Sequence, residues 1–230
     1  LRGDSIRLWY SMGNEIADNV IRESRDFVIW YSQRKNVFRN KISDCRYGLH
    51  FMYAGMSKVE ENEFDYNNVG VFVMYSFEVE FRKNRIASST GAGAMGLGFK
   101  EASDVVARDN AILYCPTGIY LDGSPDDPES KNQFTANQIA YNDVGILLHS
   151  DWAGNEFRNN DFMNNVMSVA VQSEGVARRN VWDGNHWDDY AGYDLDDDGV
   201  GDLPHRSEST SEDLVAQHPQ LAFLRGAPAL

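Results

Sequence analysis

The sequence predicts an all-β fold, a right-handed parallel β-helix (solenoid) of about eight coils, and three observations carry that reading. Asn recurs at Asn19, Asn40, Asn62, Asn84, Asn110, Asn137, Asn160 and Asn185, at spacings of 21 to 27 residues. An apolar residue stands three positions before each Asn (Ile16, Val37, Val59, Phe81, Ala107, Phe134, Phe157, Trp182). Another stands two positions after it (Ile21, Ile42, Phe64, Ile86, Ile112, Ile139, Phe162, Trp187). The rest of each unit is a short alternating stretch, often opened by Gly: Gly48, Gly70, Gly96, Gly118 and Gly145. A repeat of this length without helical periodicity cannot bury its apolar side alone, but stacked units share one core. Parallel crossovers are right-handed. A leucine-rich repeat has a similar period, but its L-x-x-L-x-L pattern is absent.

The strands follow from the alternation. Ile6, Phe27, Leu49, Val71, Leu97, Ile119, Ile146 and Val169 form one inward column, and the residues two further on form a second. A period of two with one buried face places their neighbours outside. The Asn column fits tight turns, where Asn tolerates unusual dihedrals, and stacked amides can bond from coil to coil. Five residues after the ladder Asn come Ser24, Cys45, Asn67, Ser89, Cys115, Asn142 and Asn165. Cys45 and Cys115 therefore share a corner three coils apart, about 14 Å at the sheet spacing, too far for a disulfide. Two units are enlarged, by residues 88–95 and 123–131.

Composition narrows the function. Of the 230 residues, 35 are acidic and 21 basic, giving a net charge of −14, which argues against a nucleic-acid partner. No apolar run approaches a bilayer span, so the chain is not itself membrane-spanning. Residues 1–180 hold 19 basic and 24 acidic groups, whereas residues 181–230 hold 2 and 11. The chain divides into coils over 1–180 and a segment 181–230 with the last coil, an acidic loop and a capping or anchoring tail. Ser209 and Glu212 form a capping box opening a short helix through Leu214–Ala216 before Pro219.

The outward positions are unusual for a solvated sheet. One column reads Trp9, Trp30, Met52, Met74, Lys100, Asp122, His149, Gln172; its neighbour includes His50 and Phe72. Tyr10, Tyr31, Tyr53 and Tyr75 follow the strands. Such a patch marks a partner or ligand surface, unless a loop or further coils cover it. Trp9, Trp30, Tyr10, Tyr31, Tyr53, Tyr75 and Phe72 are the candidate partner surface. Imidazole and thioether suit Cu(I), making His50, Met52 and Met74 a candidate copper set, with Met56 in the adjacent turn. Lys100, Asp122 and His149 are the alternative, an acid, base and cation for a polysaccharide lyase or epimerase. The paired carboxylates of a glycosidase are not evident. Asp194, Asp196 and Asp198 stand at positions 1, 3 and 5 of a calcium loop, with Gly199 at 6 and Asp202 at 9; position 12 is His205 instead of Glu. The loop is a candidate structural calcium site or an acidic cap held by backbone bonds.

Several segments together carry a family resemblance: RLWYS at Arg7–Ser11, DFVIWYS at Asp26–Ser32, RYGLHFMY at Arg46–Tyr53, VGVFVMYS at Val69–Ser76, GIYLDGSP at Gly118–Pro125, N-x-W-x-D-Y-x-G-x-D at Asn185–Asp194 and DGVGDLP at Asp198–Pro204. The chain resembles the NosD family over essentially its whole length. That resemblance implies a non-enzymatic, periplasmic accessory protein in copper-site assembly of nitrous oxide reductase. The implied partners are an ABC transporter permease and ATPase, a copper chaperone lipoprotein and the reductase; the family's copper context also fits transient Cu(I) as the cofactor of the outward donor set. It also implies an N-terminally incomplete chain, since a signal peptide and further N-terminal coils are expected.

Overall fold

The structure, a computed structural model, describes residues 3–150, 153–172 and 177–205. The helix and apolar tail expected beyond Ser209 lie outside these residues. Twenty-four strands form three parallel eight-stranded sheets, and each coil contributes one strand to each sheet. The result is the right-handed parallel β-helix expected from the repeat. Coil 1 runs through Ile6–Trp9, Glu15–Ala17 and Val20–Arg22; coil 8 through Met167–Val171, Val181–Asp183 and His186–Trp187. The change in charge near Val181 thus falls inside coil 8. Among the described residues the one helical element is a single 3-10 turn, Ala177–Arg179.

The inward columns coincide with the core. All twelve first-sheet inward residues of coils 2–7 are buried, while Ile6, Leu8, Val169 and Val171 of the two end coils are partly buried against the same cluster. Phe51, Phe81, Phe99 and Phe134 meet edge to face along the axis, with centroids 5.6 to 6.3 Å apart. Burying each such ring contributes about 2–3 kcal/mol. At the strand openings the absence of a side chain is required by close approach. A Cβ on Gly70 would lie 2.5 Å from the Gly96 carbonyl oxygen and 2.5 Å from Ile86 Cγ2.

The Asn ladder is continuous. Each Nδ2 donates to the Oδ1 of the next coil's Asn at 2.9–3.0 Å, from Asn19 through to Asn185. Each Oδ1 also accepts the backbone N–H of the preceding ladder Asn. The expectation that Asn itself takes the strained turn dihedral is corrected. The left-handed residue is the one before it: Asp18, Arg39, Glu61, Lys83, Asp109, Ala136, Asn159 and Gly184. Asn is needed here for its amide, which turns inward and bonds two coils at once. The cysteine corner works similarly. Cys45 and Cys115 are free and buried; their thiols donate to the carbonyls of Ser43 and Leu113 at 3.2 Å.

A third corner, between the first and second sheets, carries Tyr10, Tyr31, Tyr53 and Tyr75 at φ of 46–50°. Bulky residues rarely adopt that conformation. Here coil-to-coil ring stacking, at 5.2, 5.0 and 4.9 Å between centroids, offsets the strain. Because all three corners use left-handed residues, the strain belongs to the fold and does not by itself mark a site.

Candidate functional site: the outward face of the first sheet

Parallel register brings the predicted copper set together. Trp30, Met52 and Met74 occupy one row on coils 2, 3 and 4, and His50 pairs with Phe72 in the row beside it. His50 Nε2 lies 3.3 Å from Met74 Sδ, so imidazole and thioether already converge. Met56 does not join them: it lies in the second-sheet strand Gly55–Glu60, exposed and at φ 52°.

The surroundings keep the imidazole neutral. His50 stacks on Tyr47 at 4.7 Å and has Phe72 at 6.1 Å on the adjacent coil. Burial between these rings lowers its pKa; the Asp26 carboxylate opposes this, and the Arg46 charge adds to it. Asp26 is itself buried and tied down, accepting from Arg46 Nε at 2.9 Å. A neutral imidazole beside two thioethers presents lone pairs without net charge, the donor chemistry that suits Cu(I) and not Ca²⁺ or Mg²⁺. Phe72 can lie flat because its partner on coil 5 is Gly98, where a Cβ would come within 2.5 Å of the ring and 2.6 Å of Met95 Sδ.

Tyr47 and Met95 are the residues of this face that periodicity alone misses. Gly48 and Leu49 are both buried, so the strict alternation breaks just before His50 and hides Tyr47's outward position. Met95 belongs to the outer row of Val69 and Tyr47 and folds back over Gly98.

The aromatic residues expected to form a partner surface are brought together as well. Trp9 is 62% exposed and stacks on Trp30 at 6.1 Å; Tyr10, Tyr31 and Tyr53 are exposed, and Trp30, Phe72 and Tyr75 half-buried. Since the tyrosine faces cover one another, the ladder turns its ring edges outward.

Further along the axis Lys100 and Asp122 pair in register and approach to 3.6 Å. His149 is directed elsewhere, with Nδ1 at 2.5 Å from Gln172 Oε1 and its ring 5.6 Å from Tyr120. Burial first, and then the Asp122 charge, raise the Tyr120 pKa. In the acidic loop Asp194, Asp196 and Asp202 bring carboxylate oxygens within 4.8 Å of one another, all exposed. Asp198 instead accepts the Val200 N–H at 2.8 Å, and His205 bonds Asp189 at 2.8 Å and stacks on Trp187. Asp194 and Asp202 accept loop N–H groups as well, from Asp198 and Gly199 and from Leu195, so four of the six loop positions serve the turn and the last coil.

Fold and face define a class: a parallel β-solenoid whose first sheet exposes stacked aromatics beside a soft imidazole–thioether cluster. Residues 1–192 match the family described as "Periplasmic copper-binding protein (NosD)", and the chain belongs to that family. No curated protein sequence matches the chain. Among solved structures, the periplasmic alginate epimerase AlgG T265N mutant is similar at 15% identity and TM-score 0.53, covering 73% of this chain. The match spans 42% of the epimerase chain. The alginate lyase from Paenibacillus sp. str. FPU-7 follows at 14% identity and TM-score 0.42, covering 65% of this chain and 59% of its own. The epimerase likeness shows a shared solenoid fold alone. Among the described residues no helix is long and apolar enough to cross a membrane.

Proposed function

We propose that this chain is a periplasmic, non-enzymatic accessory protein that receives Cu(I) on the first-sheet face during copper-site maturation of nitrous oxide reductase. The observation that carries the reading is the convergence of His50 and Met74 at 3.3 Å, with Met52 in register beside Met74, in a protein of the NosD family. A neutral, half-buried soft donor set on an open face suits passing a cation on more than storing it. The Trp and Tyr rows next to it supply the aromatic anchors that protein partners use. An ABC transporter permease with its ATPase, a copper chaperone lipoprotein and the reductase are the partners in this reading.

The test is Cu(I) transfer from a chromophoric bis-chelator to wild type and to a His50→Ala/Met52→Ala/Met74→Ala variant. Wild type is expected to take one Cu(I) per chain and the variant none. Equal uptake by both would overturn the site. The alternative, a polysaccharide lyase or epimerase at Lys100, Asp122 and His149, predicts uronate turnover that disappears in Lys100→Ala.

A further inference from the structure

Trp30 occupies the same row as Met52 and Met74, one coil before Met52. The strand step is about 4.8 Å, so the indole lies next to the Met52 thioether, and an ion drawn onto that sulfur comes within cation–π range of the ring. Its ring already accepts a cation, since Arg7 Cζ is 5.6 Å from its centroid. Arg7 and Trp9, which stacks on Trp30 at 6.1 Å, both come from coil 1. They occupy the coil-1 side of Trp30 and leave the opposite side to the Met52 row. Tyr31 holds the indole laterally at 5.7 Å. The indole Nε1 is buried and, among the described residues, has no hydrogen-bond partner. A buried N–H without a partner is costly, so packing, and not polar bonding, fixes this ring in place.

Resting on the copper reading above, we infer that Trp30 is a fourth contact for Cu(I): its π-face meets, by a cation–π interaction, the ion held by His50, Met52 and Met74. Cu(I) is a closed-shell soft cation with no strong demand for a fourth σ-donor, and Trp presents the strongest aromatic quadrupole. The indole covers the ion on its coil-2 side and leaves the outward face open.

Trp30→Phe and Trp30→Leu separate the ring's charge distribution from its bulk. Cu(I) affinity is measured by competition with the same bis-chelator, alongside Ag(I), a redox-inert surrogate, followed by tryptophan fluorescence. Trp30→Leu should bind Cu(I) roughly tenfold more weakly, the size of a partly desolvated cation–π contact, with Trp30→Phe between it and wild type. Trp182→Phe, in coil 8 and away from this face, should bind as wild type does. Ag(I) should quench wild-type fluorescence, and the quenching should shrink in Trp30→Phe while remaining in Trp182→Phe. Wild-type affinity in Trp30→Leu together with unchanged quenching in Trp30→Phe overturns the role of Trp30 alone, provided the triple variant has lost copper. If wild type takes up no Cu(I), or the triple variant binds as well as wild type, the copper site and the Trp30 contact fall together. Circular dichroism of each variant identifies any loss that comes from unfolding, and the quenching comparison in folded Trp30→Phe still decides the matter.

Discussion

The Asn ladder makes a quantitative prediction, that the cost of losing one rung depends on its place in the stack. Asn110 is 2% exposed; its Oδ1 accepts from Asn84 N at 2.9 Å and Asn84 Nδ2 at 3.0 Å. Its Nδ2 donates to Asn137 Oδ1 and the Phe81 carbonyl, both at 3.0 Å. Asn110→Ala removes four bonds in a site that water does not reach. At about 1 kcal/mol net for each, the loss is about 4 kcal/mol. Asn19, in contrast, is exposed and its Nδ2 makes two bonds, to Ala17 O and Asn40 Oδ1 at 2.9 Å. Water replaces much of what Asn19→Ala removes, so its cost is about 1 kcal/mol. Urea denaturation followed by far-UV circular dichroism reads the difference, about 3 kcal/mol or roughly two orders of magnitude in the unfolding constant. Asn110→Asp keeps the acceptor but aims a carboxylate at two oxygens, so it should destabilise more at pH 7 than at pH 4. Equal midpoint shifts for Asn19→Ala and Asn110→Ala would refute the claim that buried amides hold the coils together.

Three further outcomes follow from single residues. His50 has a folded pKa below the ordinary imidazole value, so below about pH 6.5 the unfolded chain takes up the proton first. Its contribution to stability is complete above that pH and lost as pH falls toward the lowered folded pKa; urea midpoints at pH 7.5 and 5.5 should therefore converge between wild type and His50→Gln at the acid end. Burial pushes the Cys115 thiol up, opposed by bonding from Ser89; because Cys45 and Cys115 are both buried, both should react with a disulfide reagent only in denaturant. Cys115→Ser, which matches Ser24 and Ser89 of the same column, should cost under about 1 kcal/mol. Lys35 is fully buried and its ammonium donates to the carbonyls of Ser11 at 2.5 Å and Gln33 at 3.0 Å. Lys35→Met strands both acceptors and should cost about 2 kcal/mol, readable as a lowered Tm.

What was legible in the sequence was whatever repeated. Eight registers of the same apolar columns predicted the sheets and the core, and the shared column of Cys45 and Cys115 predicted two free thiols. Outward neighbours on adjacent coils were readable for the same reason, which is how His50, Met52 and Met74 could be grouped before their side chains were placed. Single-coil departures were not readable. Lys35 fills a position where coil 3 has Ser57 and coil 6 has Asn132, so no column announces a buried ammonium. Tyr47 was hidden by one break in alternation, and Met56 was misplaced because the chain turns into the second sheet at Gly55. The calcium pattern counted carboxylates without knowing that Asp198 would turn to cap its own loop, because short Asp side chains choose between a ligand and the nearest backbone N–H.

The ladder also gives the solenoid an electrical direction. Each ladder link runs from an Nδ2 to the Oδ1 of the following coil's Asn, while from Asn40 on the second N–H returns to a backbone carbonyl of the preceding coil, so the seven amide-to-amide links point the same way. Aligned amides polarise one another, and their dipoles add along the axis much as peptide dipoles do in a helix. The positive end is at coil 8, and residues 181–205, which close that end, hold eight Asp with no Lys or Arg. The two ends of the stack are thus electrostatically unlike, with the amide column and the acidic segment each neutralising part of the other's field.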